Sequence, residues 1–232
     1  MLVEKCAPNL SDHIHVNHSP PVLPREPQRP KGRTLTQHQR GSELDAKISP
    51  QGVTIARDFT YRALRGLDRA LFLKLGTCQW IRDHRHVILC GPTGIGKSWL
   101  ACALGHKACR EDISVLYQRV PRLFAALDLA RGDGRYAKLL ASLARPDLLI
   151  LDDWGPQVMS ADHRRDLMEI VEDRYGRGSL LITSQVPVNR WHEIVGDPTL
   201  ADAILDRIVH AAYRIDLDGE SMRKPQAGEE LT

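Results

Sequence analysis

Gly91-Pro92-Thr93-Gly94-Ile95-Gly96-Lys97-Ser98 decides the fold. The octapeptide satisfies GxxxxGK[ST] at every fixed position, between an apolar run, His86 to Cys90, and a helical stretch, Lys97 to Arg110. A glycine-rich turn from strand to helix lets the backbone wrap a phosphate chain. Its N–H groups and the helix N-terminus then face the anion. Gly91, Pro92, Thr93, Gly94, Ile95 and Gly96 are therefore expected to cradle a nucleotide. Lys97 is expected to reach its β- and γ-phosphates, and Ser98 to ligate Mg²⁺.

Outward from that loop, strands and helices alternate. Ser114 to Gln118 reads as a strand, followed by two helices around the break Gly132-Asp133-Gly134. Leu148 to Leu151 and Leu180 to Thr183 are apolar strands with a helix, Asp162 to Tyr175, between them. A helix from Leu200 to His210 and a last strand from Tyr213 to Leu217 complete the series. Ahead of the loop, Leu67, Leu71, Leu75, Cys78 and Ile81 recur at helical spacing and predict one amphipathic helix. This order predicts an α/β P-loop NTPase fold, a parallel sheet flanked by helices. Ligands of such sheets lie outside the carboxyl ends of the strands.

Two acids stand at one of those ends. Leu148-Leu149-Ile150-Leu151-Asp152-Asp153 has the form of a Walker B strand. Asp152 would hold the Mg²⁺ shell, and Asp153 would orient or deprotonate an attacking water. A second acid points to a hydrolytic ATPase; solvated acids capping a strand are the plainer alternative. Gln185 ends the next strand, either sensing the γ-phosphate and positioning water or merely beginning a loop. Arg207 is a candidate arginine finger, because a guanidinium stabilises the charge spread over a transferring phosphoryl group. Its alternative is a surface pair with Asp206 or Asp202.

The charge of the chain is unevenly placed. Residues 1–57 hold eight Lys/Arg and five Asp/Glu, and the remainder holds 24 of each, so the whole net charge of +3 lies in the first quarter. A neutral core with that tail does not argue for nucleic-acid binding by charge alone. Pro8, Pro20, Pro21, Pro24, Pro27, Pro30 and Pro50 interrupt the same region, which lacks apolar periodicity and is expected to be poorly ordered. No apolar run approaches the ~20 residues of a membrane helix. No apolar h-region precedes the first prolines, so a secretory signal is not expected. The five cysteines form no CxxC pair and fit a reducing compartment, so a cytoplasmic protein without membrane partners is expected. Cys102 and Cys109 share a helix face and read as small core residues. His13, His15 and His18 lack the acidic or cysteine partners of a metal site.

Together with Arg65-Gly66-Leu67-Asp68-Arg69, Ala144-Arg145-Pro146-Asp147, Glu172-Asp173-Arg174-Tyr175, Gly196-Asp197-Pro198-Thr199-Leu200 and Gly219-Glu220-Ser221-Met222-Arg223, these motifs resemble a known family. It is that of the IstB-type AAA+ ATPases, helper proteins of insertion-sequence transposition. More distantly, the chain resembles the DnaC-type helicase loaders. The resemblance covers roughly Arg65 to Lys224 and implies ATP and Mg²⁺ as cofactors and DNA and a transposase as partners. A replicative helicase takes the transposase's place in the loader reading. A nucleotide-binding remnant without turnover is a further alternative.

The resemblance also implies a ring or helical homo-oligomer in which Arg207 acts in trans. It makes the helical pair Val120 to Ala144 a wedge facing DNA, with Arg131, Arg135 and Lys138 on phosphates or simply on a solvated face. Arg223 corresponds to a second sensor. The resulting division is a divergent tail over residues 1–52, an AAA+ domain over 53–224 and a C-terminal tail over 225–232. Two departures stand out. Many relatives carry Glu where this chain has Asp153, one methylene shorter, so slow hydrolysis is expected. Residues 1–50 do not look like the helical N-terminal domain of the family, which suggests an altered or truncated copy lacking the part that contacts the transposase.

Overall fold

The computed structural model describes residues 68–155, 157–219 and 221. The expected tails over residues 1–52 and 225–232, the histidines His13, His15 and His18, and Arg223 lie outside the described residues.

Asp68 caps α1 (Arg69–Gly76), its carboxylate accepting a 2.8 Å hydrogen bond from the Ala70 N–H. The single helix expected from Leu67 to Ile81 is divided. The chain leaves the helix at Gly76, the Thr77 hydroxyl closes the turn on the Lys74 carbonyl at 2.7 Å, and Cys78 turns left-handed at φ 58°. A short α2 (Gln79–Arg82) then restarts and is pinned to α1 by the Trp80 indole N–H on the Leu75 carbonyl. The apolar spacing survives the break because both pieces pack on one cluster.

Beyond it lie β1 (His86–Cys90), α3 (Lys97–Arg110), β2 (Val115–Arg119), α4 (Val120–Gly132), α5 (Tyr136–Ala144) and β3 (Leu148–Trp154). Next come α6 (Ala161–Arg174), β4 (Ser179–Ser184), α7 (Trp191–Val195), α8 (Pro198–Val209) and β5 (Ala212–Asp216). The five strands pair in the order β2-β3-β4-β1-β5, and every pairing is parallel. This is the predicted P-loop α/β fold. Strands β1 and β4 are buried along their whole length, which explains their unbroken apolar runs. Alternate residues supply opposite cores: Val87 and Leu89 join α1, α2 and α3 on one face, while Ile88 and Cys90 join α4 to α8 on the other. Cys102 and Cys109 are half-buried on α3, not core residues as expected.

Two family segments gain a physical reading. In Gly196-Asp197-Pro198-Thr199-Leu200, Gly196 ends α7 at φ 72° and Asp197 caps α8 by accepting from the Leu200 N–H at 2.9 Å. Pro198 starts that helix, where the missing N–H costs nothing. The sequence reading did not anticipate α7. Arg174 links Ala144-Arg145-Pro146-Asp147 to β4: it is 1% exposed, and its guanidinium donates to the carbonyls of Leu143, Pro146, Asp147 and Ser179. Burial pushes this guanidinium down to about 10.

Candidate functional site

The loop after β1 requires its glycines. Gly94 stands at φ 84°, and a Cβ there would lie 2.1 Å from Ser221 Oγ. Gly91 stands at φ 147°, where a Cβ would meet the Leu217 carbonyl oxygen at 2.3 Å. The chain after β5 thus lies directly on the loop. Lys97 is 8% exposed, and its ammonium donates to the Gly91 and Pro92 carbonyls at 2.6 and 2.7 Å. Thr93 Oγ1 donates to Gln185 Oε1 at 2.6 Å, joining the loop to the end of β4.

The two acids of β3 reach this loop because the strand is irregular. Leu151 pairs with Ile182 and Trp154 with Ser184, so β3 carries one residue more than β4 across the interval. This is a bulge, and Asp153 takes φ 66° within it. Regular alternation would send consecutive side chains to opposite faces. Here both carboxylates line one cavity of about 360 Å³, shared with Lys97, Ser98 and Gln185. Asp and Asn enter the left-handed region more readily than other side chains except Gly, which suits Asp at this position.

Each acid is gripped. Asp152, 4% exposed, accepts from Ser98 Oγ at 2.7 Å, Thr183 Oγ1 at 2.6 Å and Tyr117 OH at 2.5 Å. Asp153 Oδ2 accepts from the Arg119 guanidinium at 2.8 Å. That hydrogen bond raises the guanidinium's pKa above its ordinary value. Burial and the Asp152 carboxylate push the Tyr117 phenol up, so it remains a donor. Tyr117 and Arg119 are two apart on β2 and so share a face. Sequence reasoning missed them and Thr183. The alternation Tyr117-Gln118-Arg119 was the local signal, but the acids they meet lie about 35 residues away. Ser98 Oγ and Asp152 Oδ1 are hard oxygen donors side by side in a buried corner, a set that fits Mg²⁺.

The remaining candidates lie elsewhere. Arg207 lines a different cavity, beside Arg214 and the pairs His192–Asp202 and His210–Asp206. Its own partner is neither Asp202 nor Asp206. The Nε lies 2.7 Å from Glu172 Oε2, without the alignment of a hydrogen bond, and a second nitrogen donates to the Ala203 carbonyl at 2.9 Å. In the wedge, Arg131 turns to the buried Asp166 and to Asp128, which it meets at 2.9 Å. The Arg135 Nε donates to Asp133 at 2.7 Å. Lys138 is exposed on α5.

The sequence profile of the IstB-like ATP binding proteins matches residues 22–229. The chain belongs to that family. It is 64% identical over 181 residues to the insertion sequence ATP-binding protein y4pL of Sinorhizobium fredii, covering 78% of this chain and 73% of that one. It is 35% identical over 189 residues to the IS21 ATP-binding protein of Pseudomonas aeruginosa, covering 80% and 71%. Among solved structures the fold is similar to that of DnaI, at TM-score 0.59 and 21% identity over 65% of this chain and 85% of that one. It is also similar to the DnaC helicase loader, at TM-score 0.52 and 18% identity over 65% and 89%. Among the described residues no helix is long and apolar enough to cross a membrane.

Proposed function

We propose that this chain hydrolyses ATP with Mg²⁺ and uses the nucleotide cycle, as an oligomer on DNA, to regulate a transposase in the cytoplasm. The observation that carries the chemistry is the bulge that turns Asp152 and Asp153 together into the cavity of Lys97 and Ser98. Lys97 neutralises the β- and γ-phosphates, and the loop N–H groups orient the chain of phosphates. Ser98 and Asp152 would hold the Mg²⁺, which would offset the charge developing on the phosphate oxygens. Asp153 accepts a proton from the attacking water, and Gln185, tied to Thr93, reports on the γ-phosphate. Arg223 acts as second sensor. Ser221, two residues earlier in the chain, lies against Gly94 of the loop, which supports that role.

The transposition reading is supported by the relatives, whose names place them in insertion sequences. The likeness to helicase loaders is one of fold. Arg207 supplies a finger to the neighbouring subunit, exchanging Glu172 for phosphate. Arg135 and Lys138 face DNA phosphates, and Arg131 mainly fixes the wedge to Asp166. The test is ATP turnover by the wild type and Asp153→Asn, with and without duplex DNA. Asparagine tolerates the left-handed backbone but accepts no proton. The variant should bind ATP and lose turnover; equal rates would refute the assignment of Asp153.

A further inference from the structure

Two residues of β3 face one residue of β4. Leu151 pairs with Ile182 and Trp154 with Ser184, so Asp152 and Asp153 together stand opposite Thr183. A bulge of this kind takes the N–H of its extra residue out of the ladder, and a buried N–H without an acceptor is costly. Thr183 supplies the acceptor: the Asp153 N–H donates to its Oγ1 at 3.0 Å. The same hydroxyl donates its own hydrogen to Asp152 Oδ1 at 2.6 Å. Thr183 is 1% exposed, so little water competes for these bonds. The next residue, Ser184, holds the far end of the bulge. Its hydroxyl donates to the Trp154 carbonyl at 3.0 Å and accepts from the Val186 N–H at 3.0 Å.

We propose that Thr183 is a positioning residue for hydrolysis: its hydroxyl sets the bulge so that Asp152 and Asp153 keep a fixed spacing in the cavity. The inference rests on the proposed hydrolytic site. It adds the group that keeps the left-handed backbone at Asp153, φ 66°, in place. Arg119 grips Asp153 by its carboxylate, a hold that ends when the side chain turns to a water. The backbone bond to Thr183 does not depend on that rotamer. A hydroxyl suits the place because it accepts and donates at once. In this role Thr183 acts on no reacting atom, only through the two acids.

The test compares Thr183→Val, which keeps the shape and loses the hydroxyl, with Thr183→Ser, which keeps the hydroxyl and loses a methyl. In ATP turnover by the full chain with Mg²⁺, kcat should fall roughly 10- to 100-fold for the valine variant and largely return with serine. KM for ATP, and nucleotide affinity in EDTA, should stay within about twofold of the wild type. A role in packing alone reverses the order, with valine active and serine impaired, and that order overturns the proposal. Amide exchange at Asp153 gives a readout that needs no turnover. It should rise roughly tenfold in Thr183→Val and stay at the wild-type rate in Thr183→Ser, and equal exchange in all three proteins overturns the role of the bond. A wild type that turns over no ATP overturns the hydrolytic reading itself, whereas a fully active Thr183→Val overturns the role of Thr183 alone, so the two failures are distinguishable. Should Thr183→Val not fold, Thr183→Ala takes its place, since it differs from the serine variant by the hydroxyl alone. Alanine as active as serine would overturn the proposal.

Discussion

His86, the first residue of the strand that leads to the nucleotide loop, should make the protein acid-sensitive. Its ring is 4% exposed, and Nδ1 accepts a 3.1 Å hydrogen bond from the Leu180 N–H, which requires that nitrogen to be unprotonated. Burial, with the nearby Arg174 guanidinium on α6, pushes its pKa down from 6.5 to about 4. The unfolded chain therefore takes up a proton near pH 6.5, whereas the folded chain resists until about 4, so stability falls as pH drops through that window. Linkage between those two values gives a loss of about 2 kcal/mol by pH 5 and about 3 kcal/mol by pH 4. The assay is urea unfolding near pH 7, 5 and 4 for the wild type and His86→Asn. The amide oxygen of the variant can still accept from Leu180 but does not titrate. Subtracting the two cancels every other ionisation, so the difference should narrow by those amounts. A difference that stays flat from pH 7 to 4 would refute the reading of His86 as a neutral acceptor.

Lys97→Ala should abolish tight ATP binding without unfolding the sheet, read by nucleotide titration alongside circular dichroism; unchanged affinity would remove the P-loop assignment. Arg174→Lys should cost on the order of 2–4 kcal/mol in urea unfolding, because an ammonium cannot span carbonyls that a planar fork of donors serves together; a loss under about 0.5 kcal/mol would show that those bonds are dispensable. Arg207→Ala should spare nucleotide binding and remove turnover. Mixing it with Lys97→Ala subunits should restore part of the rate at shared interfaces, and a co-assembled but inactive mixture would count against action in trans.

The nucleotide loop was fully legible because its chemistry is written in consecutive residues. The ends of β1, β3 and β4 came within three residues for the same reason, since burial on both faces leaves an apolar run that needs no partner to be recognised. What stayed hidden depends on register. Nothing near Tyr117 or Arg119 announces an acid across the sheet, and nothing near Arg131 announces Asp166 on another helix. The bulge at Asp152 and Asp153 was invisible because two successive acids look alike whichever way they point. Cys78 carried no signal for its left-handed turn, although Gly76 two residues earlier marked the helix end. Asp133 beside Arg135 was a readable pair that the phosphate-contact expectation passed over.

The junction between β2 and α4 has no loop at all: Arg119 ends the strand and Val120 begins the helix. Most connections in a fold carry a few residues of slack that absorb small displacements. This one behaves as a rigid lever with no joint. Its short arm carries the phenol and guanidinium that hold the two acids, and its long arm is the helical pair reaching out to Ala144. Among the described residues, the strand that serves as fulcrum is bonded to a neighbour on one side only. A load that tilts the helical pair is resisted by that one ladder, by the packing of α4 and α5 in the core and by the Arg131–Asp166 pair, and what these yield reaches the two residues that hold Asp152 and Asp153.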